Sequence, residues 1–213
     1  MNKSDHNKAI TELKQLDLSD IYFYTDYLTW KFDERVELIR GKIFPKGPNP
    51  GTQHQQIVGR LLVEFLNYFK ENKNKYSRKL IGPQVFTYLD VRLPIPNRKT
   101  GEGDTVVQPD ILVVLDENKF DEKGCKGCPD LAVEVLPRIE LDANIEYKQK
   151  FNIYQAAKIS EYWLIDPERE SGIIYSLDKK GKYIGSPFFT SGQQMESKVI
   201  KGFKFEMDLI FPE

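Results

Sequence analysis

Residues 106–116, VVQPDILVVLD, and the following word at 129–136, PDLAVEVL, decide how this chain folds and where its chemistry lies. Ile111 to Leu115 is continuously apolar and largely β-branched, as expected of a central strand covered on both faces. DLAVEVL (130–136) reads as a second strand, entered from the KGCKGCP turn. Each run carries one residue that contradicts its surroundings: Asp110 opens ILVVL, and Glu134 sits inside LAVEVL. An ionised carboxylate there is costly unless it is paired, exposed at a strand end or bound to a metal. Two carboxylates on neighbouring strands can share a hard divalent cation such as Mg²⁺, which polarises a scissile phosphate and acidifies an attacking water. The other reading pairs one or both with Lys or Arg at the sheet ends. Alternation places Asp130, Ala132 and Glu134 on one face, so Asp130 either neighbours Glu134 or simply starts the strand after Pro129.

Working outward, RVELIRGKIF (35–44) reads as a hairpin about Arg40 and Gly41, and KGPNPGT (46–52) as a loop. Ile57, Leu61, Leu62, Phe65, Leu66 and Phe69 then recur at helical spacing, with Thr52 as the expected N-cap. QVFTYLDVRL (84–93) alternates as one half-buried strand, and a Pro- and Gly-rich loop spans 94–104. A helix over about 144–158 precedes the strand EYWLIDP (161–167), in which Trp163 is apolar core and Asp166 ends the strand; shorter strands at 172–177, 182–189 and 195–205 form a closing meander. The expected class is α/β (α+β): a mixed β-sheet flanked by helices, with an additional C-terminal β meander. Residues 1–23 are expected to form a polar N-terminal extension, helical or loose, with Ser4 as a cap and a weak stripe of Ile10, Leu13 and Leu16. Residues 24–213 are expected to form a single domain.

Thirty-one Lys and Arg against 32 Asp and Glu give a net charge of −1, which argues against bulk-charge coating of nucleic acid and leaves room for a local basic rim. With 40% hydrophobic residues the chain can build a core, and no stretch reaches the roughly 20 apolar residues of a membrane span. The polar N-terminus lacks the apolar core of a signal peptide, and with only Cys125 and Cys128 there is no disulfide framework, so a cytoplasmic setting is expected. Zinc requires four ligands, and this lone pair sits in a Gly-rich turn, so the cysteines read as a plain loop.

The chain resembles the PD-(D/E)-x-K nuclease superfamily. Within it, the chain is similar to the Uma-two family of bacterial proteins described as restriction endonucleases. The matching words are VELIRGKI (36–43), HQQIVGRL (54–61), QPDILVVLD (108–116), PDLAVEVL (129–136) and KFNIYQAAKISEYWLIDP (150–167), in the family's order. The resemblance implies a restriction-endonuclease-like core and metal-dependent hydrolysis of nucleic-acid phosphodiesters, with DNA the expected substrate and Mg²⁺ or Mn²⁺ the cofactor. It makes Asp110 and Glu134 the metal-binding carboxylates. The Lys usually found two positions after the second carboxylate is replaced by Leu136, and the resemblance draws it instead from the next helix. The match there is Lys150, on one helical face with Tyr154; Lys148 is a rival facing elsewhere, and either could be a solvated cation.

Glu37 matches an acidic residue of the early ELI-x-G word, to assist the metal site or to hold the hairpin. His54 holds the family's HQ position, to cap its helix, to hydrogen-bond beside the site or to meet a phosphate. A main-chain carbonyl near Val135 is a further ligand candidate. Arg60, Lys70, Lys73, Lys75, Arg78 and Lys79 are candidates for backbone contact or a solvated helix end. Cutting both strands of a duplex calls for two sites, compatible with a homodimer. Two other classes remain: a catalytically silent nuclease-fold module that binds nucleic acid or protein, and a hydrolase of non-nucleic phosphate esters.

Overall fold

The apolar runs around Asp110 and Glu134 become adjacent strands of one sheet, and the segments flanking them carry the chain into a second. The computed structural model describes residues 10–47, 50–76, 82–95, 101, 103–137 and 143–211, and of 143–146 the backbone alone. Along the chain come α1 (Tyr24–Tyr27), β1 (Val36–Ile39), β2 (Lys42–Pro45), α2 (Thr52–Glu71), α3 (Lys73–Tyr76), β3 (Gln84–Phe86), β4 (Val91–Arg92), β5 (Val106–Val107) and β6 (Ile111–Val114). Then follow β7 (Phe120–Asp121), β8 (Gly124–Lys126), β9 (Leu131–Val135), α4 (Ala143–Ala157), β10 (Glu161–Asp166), β11 (Ser171–Leu177), β12 (Tyr183–Gly185), β13 (Gln194–Glu196) and β14 (Lys204–Glu206).

The first six-stranded sheet runs β2-β1-β5-β4-β8-β7, the second β12-β11-β10-β9-β6-β3, and β13 pairs with β14. In the second sheet β9 and β10 are parallel and joined through α4, whereas β6 is antiparallel to β9 and β11 to β10, so the sheet is mixed. The hairpin reading of 35–44 holds: Arg40 (φ 50°) and Gly41 (φ 77°) make a two-residue turn with both φ positive, the geometry that matches strand twist.

Two segments read as single strands, 84–93 and 106–116, each pass from one sheet to the other. β3 and β6 lie in the second sheet, β4 and β5 in the first. The breaks fall at Tyr88, whose φ of 54° no strand accommodates, and at Pro109. The Tyr88 amide donates to the Pro109 carbonyl at 3.1 Å, pinning the two crossovers together. This crossing is where the carboxylates emerge.

Strand alternation divides the core. Ile111, Val113, Leu131, Val133, Trp163 and Ile165 face α2, whose Ile57, Leu61 and Phe65 are fully buried, together with Phe203 and Phe205 around β14. Each such side chain contributes about 2 kcal/mol of burial. Leu112, Val114, Ala132 and Tyr162 face the other way, toward Ile153, Tyr154 and Ala157 of α4 and toward Ile39, Val91 and Val107 of the first sheet. Asp110 and Glu134 share this second face.

Several local expectations change. Gly51, extended at φ −60° and ψ 166°, occupies the N-cap of α2, and Thr52 is already its first helical residue. The segment 195–205 is a hairpin rather than one strand. Cys125 lies buried on β8, its carbon framework part of the core, and both cysteines are free. The described part of the N-terminal segment is a short 3₁₀ turn at Leu13–Gln15 in an irregular chain. It packs Leu16, with Ile10, Leu13 and Tyr22, on the outer face of the first sheet, because that face exposes Val36, Leu38 and Ile43. Ser4 lies outside the described residues.

A candidate metal and nuclease centre

The register sets the site. Ile111 pairs with Val133 and Leu112 with Ala132, so one step further along the antiparallel ladder Asp110 stands across from Glu134. Residues so opposed have Cβ atoms about 5 Å apart on one face. Asp110 Oδ2 accepts from the Val135 amide at 2.8 Å and lies 3.2 Å from His54 Nε2. Glu134 Oε1 accepts from Lys150 Nζ and from the Tyr154 hydroxyl, each at 2.7 Å. Lys150 and Tyr154, one turn apart on α4, thus reach the same carboxylate oxygen.

Lys150 Nζ also lies 2.9 Å from Glu37 Oε1, so Glu37 belongs to the same cluster. That oxygen accepts from the Gln108 amide at 2.6 Å, and Lys46 Nζ stands 3.4 Å from Oε2, an ion pair too long to be a good hydrogen bond. Glu37 therefore both braces the hairpin side and meets the helix lysine. Lys148 is exposed. Asp130 does not join them: its Oδ2 accepts from the Leu115 amide at 2.8 Å and lies 3.5 Å from Lys119, the role of a strand-start residue.

Glu37, Glu134 and Lys150 are 0%, 2% and 0% exposed, and Asp110 is 8% exposed, so their charges interact with little water between them. Burial pushes the Glu134 carboxyl up to about 7; the Lys150 ammonium pulls it down and the Asp110 charge pushes it up again. The 2.7 Å ion pair is therefore not enough to hold Glu134 at an ordinary carboxylate value. For Asp110 burial acts upward too, but the His54 contact, the Lys150 charge and the Val135 amide outweigh it and hold the carboxyl below its usual range. The two facing carboxyls are thus pushed in opposite directions.

The donor set fits a hard divalent cation. Asp110 Oδ1 and Glu134 Oε2 carry no hydrogen bond among the described residues, and Val135 O accepts a long one, 3.3 Å, from the Tyr147 hydroxyl. Among the described residues, Glu37 and Glu134 pair with the fully buried Lys150, Glu37 also with the partly buried Lys46, and Asp110 feels the Lys150 charge. Among the described residues no three His, Cys, Asp or Glu side chains converge as a metal cage.

Residues that the sequence reading did not assign complete the surroundings. Tyr88 is half-buried near both carboxylates; burial raises its hydroxyl, and Asp110 adds to the shift. Gln55 donates to that hydroxyl at 3.2 Å, and the Arg35 guanidinium lies 4.3 Å from the Tyr88 ring centre. Gln108 accepts from Arg35 Nε at 3.0 Å and donates to Asp90 at 2.7 Å. The one available signal was the word QPD, which sets Gln108 two residues before Asp110. Of the candidate cations, Arg60 donates to the Phe211 carbonyl at 2.5 Å and Lys75 to the Lys201 carbonyl; both brace the C-terminal segment. Arg78 and Lys79 lie outside the described residues.

Comparison with solved structures finds the same fold in a protein titled "a putative nuclease belonging to DUF820 from Anabaena variabilis ATCC 29413". The TM-score is 0.63 at 18% identity, over 89% of this chain and 97% of that one. A search of the curated proteins gave no match. Among the described residues no helix is long and apolar enough to cross a membrane. The sequence of the Uma2 family, described as "Putative restriction endonuclease", matches residues 24–208, a span that contains Glu37, His54, Asp110, Glu134 and Lys150. The chain belongs to the Uma2 family.

Proposed function

We propose that this protein is a metal-dependent endonuclease that hydrolyses phosphodiester bonds of nucleic acid, with DNA as its substrate. The observation that carries the reading is the convergence of Asp110, Glu134 and Lys150, from two adjacent strands and the following helix, on one buried cluster. Membership of a family described as restriction endonucleases supports it. Asp110 Oδ1, Glu134 Oε2 and the Val135 carbonyl would hold Mg²⁺ or Mn²⁺. Bound there, the ion supplies Lewis acidity toward the phosphate and lowers the pKa of the attacking water. Lys150 steadies negative charge developing on the phosphate and offsets the carboxylates when no substrate is present. His54 and the Val135 amide fix the Asp110 rotamer, so its second oxygen stays directed outward. Tyr154 does the same for Glu134. Two copies acting together would cut both strands of a duplex.

The test is cleavage of supercoiled plasmid and of single-stranded DNA in Mg²⁺, Mn²⁺ or EDTA, with Asp110→Ala and Lys150→Ala in parallel. The expected result is metal-dependent nicking and linearisation by the native chain and none by either variant. Cleavage surviving Asp110→Ala would refute the site. Salt-sensitive DNA binding without cleavage in any metal would instead make the fold a binding module, in line with Leu136 at the position where the superfamily places its Lys.

A further inference from the structure

A nucleic-acid hydrolase with three buried carboxylates must still attract a polyanion, so cations have to stand at the edge of the cluster. Arg35 is the best organised of these. It is half-buried, its guanidinium lies 4.3 Å from the centre of the Tyr88 ring, and its Nε donates to Gln108 at 3.0 Å. Among the described residues it pairs with no carboxylate, and its terminal nitrogens make no hydrogen bond. Half-buried arginines ordinarily find an acidic partner, because the planar fork is built for two parallel bonds to a carboxylate or a phosphate.

The surroundings hold this guanidinium in place. Gln108 is itself held twice, through its amide N–H on Glu37 and its side chain on Asp90, and Asp90 in turn accepts from Tyr27 at 3.0 Å. Tyr88 keeps a left-handed φ of 54°, an uncommon conformation for a bulky residue, and is tied to the Pro109 carbonyl immediately before Asp110. Its hydroxyl accepts from Gln55, the neighbour of His54, which in turn holds Asp110. An unbroken chain of contacts thus leads from Arg35 to the carboxylate pair, and the strained residue in it serves to present a ring to a cation.

We infer that Arg35, held over the Tyr88 ring and oriented by Gln108, grips a substrate phosphate beside the Asp110–Glu134 pair. Tyr88 and Gln108 are positioning residues for it. The inference rests on the nucleic-acid hydrolase reading. Arg35 would bind two non-bridging oxygens of one phosphate through its terminal nitrogens, and the sequence-independent contact would set the register of the backbone over the carboxylates.

The experiment measures cleavage of a labelled duplex in Mg²⁺, duplex affinity against salt in Ca²⁺, and Mg²⁺ affinity by calorimetry. It compares the native chain with Arg35→Ala, Arg35→Lys, Tyr88→Leu and Tyr88→Phe. Arg35→Ala should cut the rate ~10²-fold, as loss of a preorganised oxyanion donor does. It should also reduce the salt slope by about 0.9, one phosphate contact, with Mg²⁺ affinity unchanged. Arg35→Lys keeps the slope but loses rate, because the charge stays and the fork is gone. Tyr88→Leu behaves as Arg35→Lys, and Tyr88→Phe, which keeps the stacking face but loses the Gln55 contact, loses less rate than Tyr88→Leu.

An Arg35→Ala protein with native rate and native slope overturns the inference while leaving the nuclease reading standing. Loss of rate together with loss of Mg²⁺ affinity also overturns it, since the role would then be structural. If Arg35→Ala fails to fold, Arg35→Lys decides: native rate in that variant overturns the inference. A native chain that neither cleaves nor binds duplex overturns both readings.

Discussion

Replacing Glu134 by Gln should change how the stability of the metal-free protein depends on pH. Glu134 Oε1 accepts both the Lys150 and Tyr154 hydrogen bonds, and among the described residues Oε2 accepts none, so a Gln carbonyl can take the first position and its amide the second without loss of either bond. What the substitution removes is the buried charge. The folded value of about 7 lies above the ordinary value of 4.5, so the unfolded chain releases this proton first. For a raised carboxyl the contribution to stability is greatest below 4.5. It declines as pH rises between 4.5 and 7, and above 7 the full cost of about 3 kcal/mol is present. Asp110 runs in the opposite sense and in another window: its lowered value adds stability above 3.8 that is lost only as pH falls through the folded value.

Urea unfolding of native chain and Glu134→Gln in EDTA, at pH 5 and pH 8, isolates the effect as a difference of differences. The native chain should lose about 2–3 kcal/mol more than the variant between the two pH values, because part of the cost is already present at pH 5. Adding Mg²⁺ at pH 8 should restore stability to the native chain by mass action and leave the variant unchanged. Equal pH dependence of the two proteins in EDTA would refute the reasoning, for it would mean that Glu134 is already charged at pH 5 or shielded by water.

Lys150→Met should destabilise by about 3–5 kcal/mol at pH 8, measured by the same unfolding assay, because Glu37 and Glu134 are left buried without their ammonium. The loss should shrink at pH 5, where Glu134 is neutral. Gly41→Ala should cost more than about 1 kcal/mol in thermal or urea unfolding. The residue sits at φ 77°, and a Cβ there would come within 2.7 Å of the Ile21 side chain.

Much of the candidate site stood out in the sequence because its residues violate a strong pattern. A carboxylate at either end of ILVVL or inside LAVEVL has no packing reason to be there, and the four-residue spacing of Lys150 and Tyr154 fixes them to one side of α4. The meeting of Asp110 with Glu134 depends on an antiparallel register, which alternation alone does not state. The sheet crossing was not legible for a related reason. A period of two says which residues share a face and is silent about which sheet a strand joins, so 84–93 reads as continuous through Tyr88 although the backbone turns there. Arg35 and Gln108 stood out least. They are 73 residues apart, and nothing in either one's neighbourhood announces a partner that distant. The rim cations illustrate the converse: Arg60 and Lys75 have the right charge, but their donors serve main-chain carbonyls at the C-terminal end.

The most direct test of the central claim, that Asp110 and Glu134 together hold the divalent cation, is a Mn²⁺ titration followed by electron paramagnetic resonance at pH 8, native chain against Asp110→Asn. The account predicts saturable binding of one Mn²⁺ per native chain, competed by Mg²⁺, and its loss in Asp110→Asn while the variant stays folded. Binding of equal stoichiometry and affinity in both proteins, or none in the native chain, would contradict it.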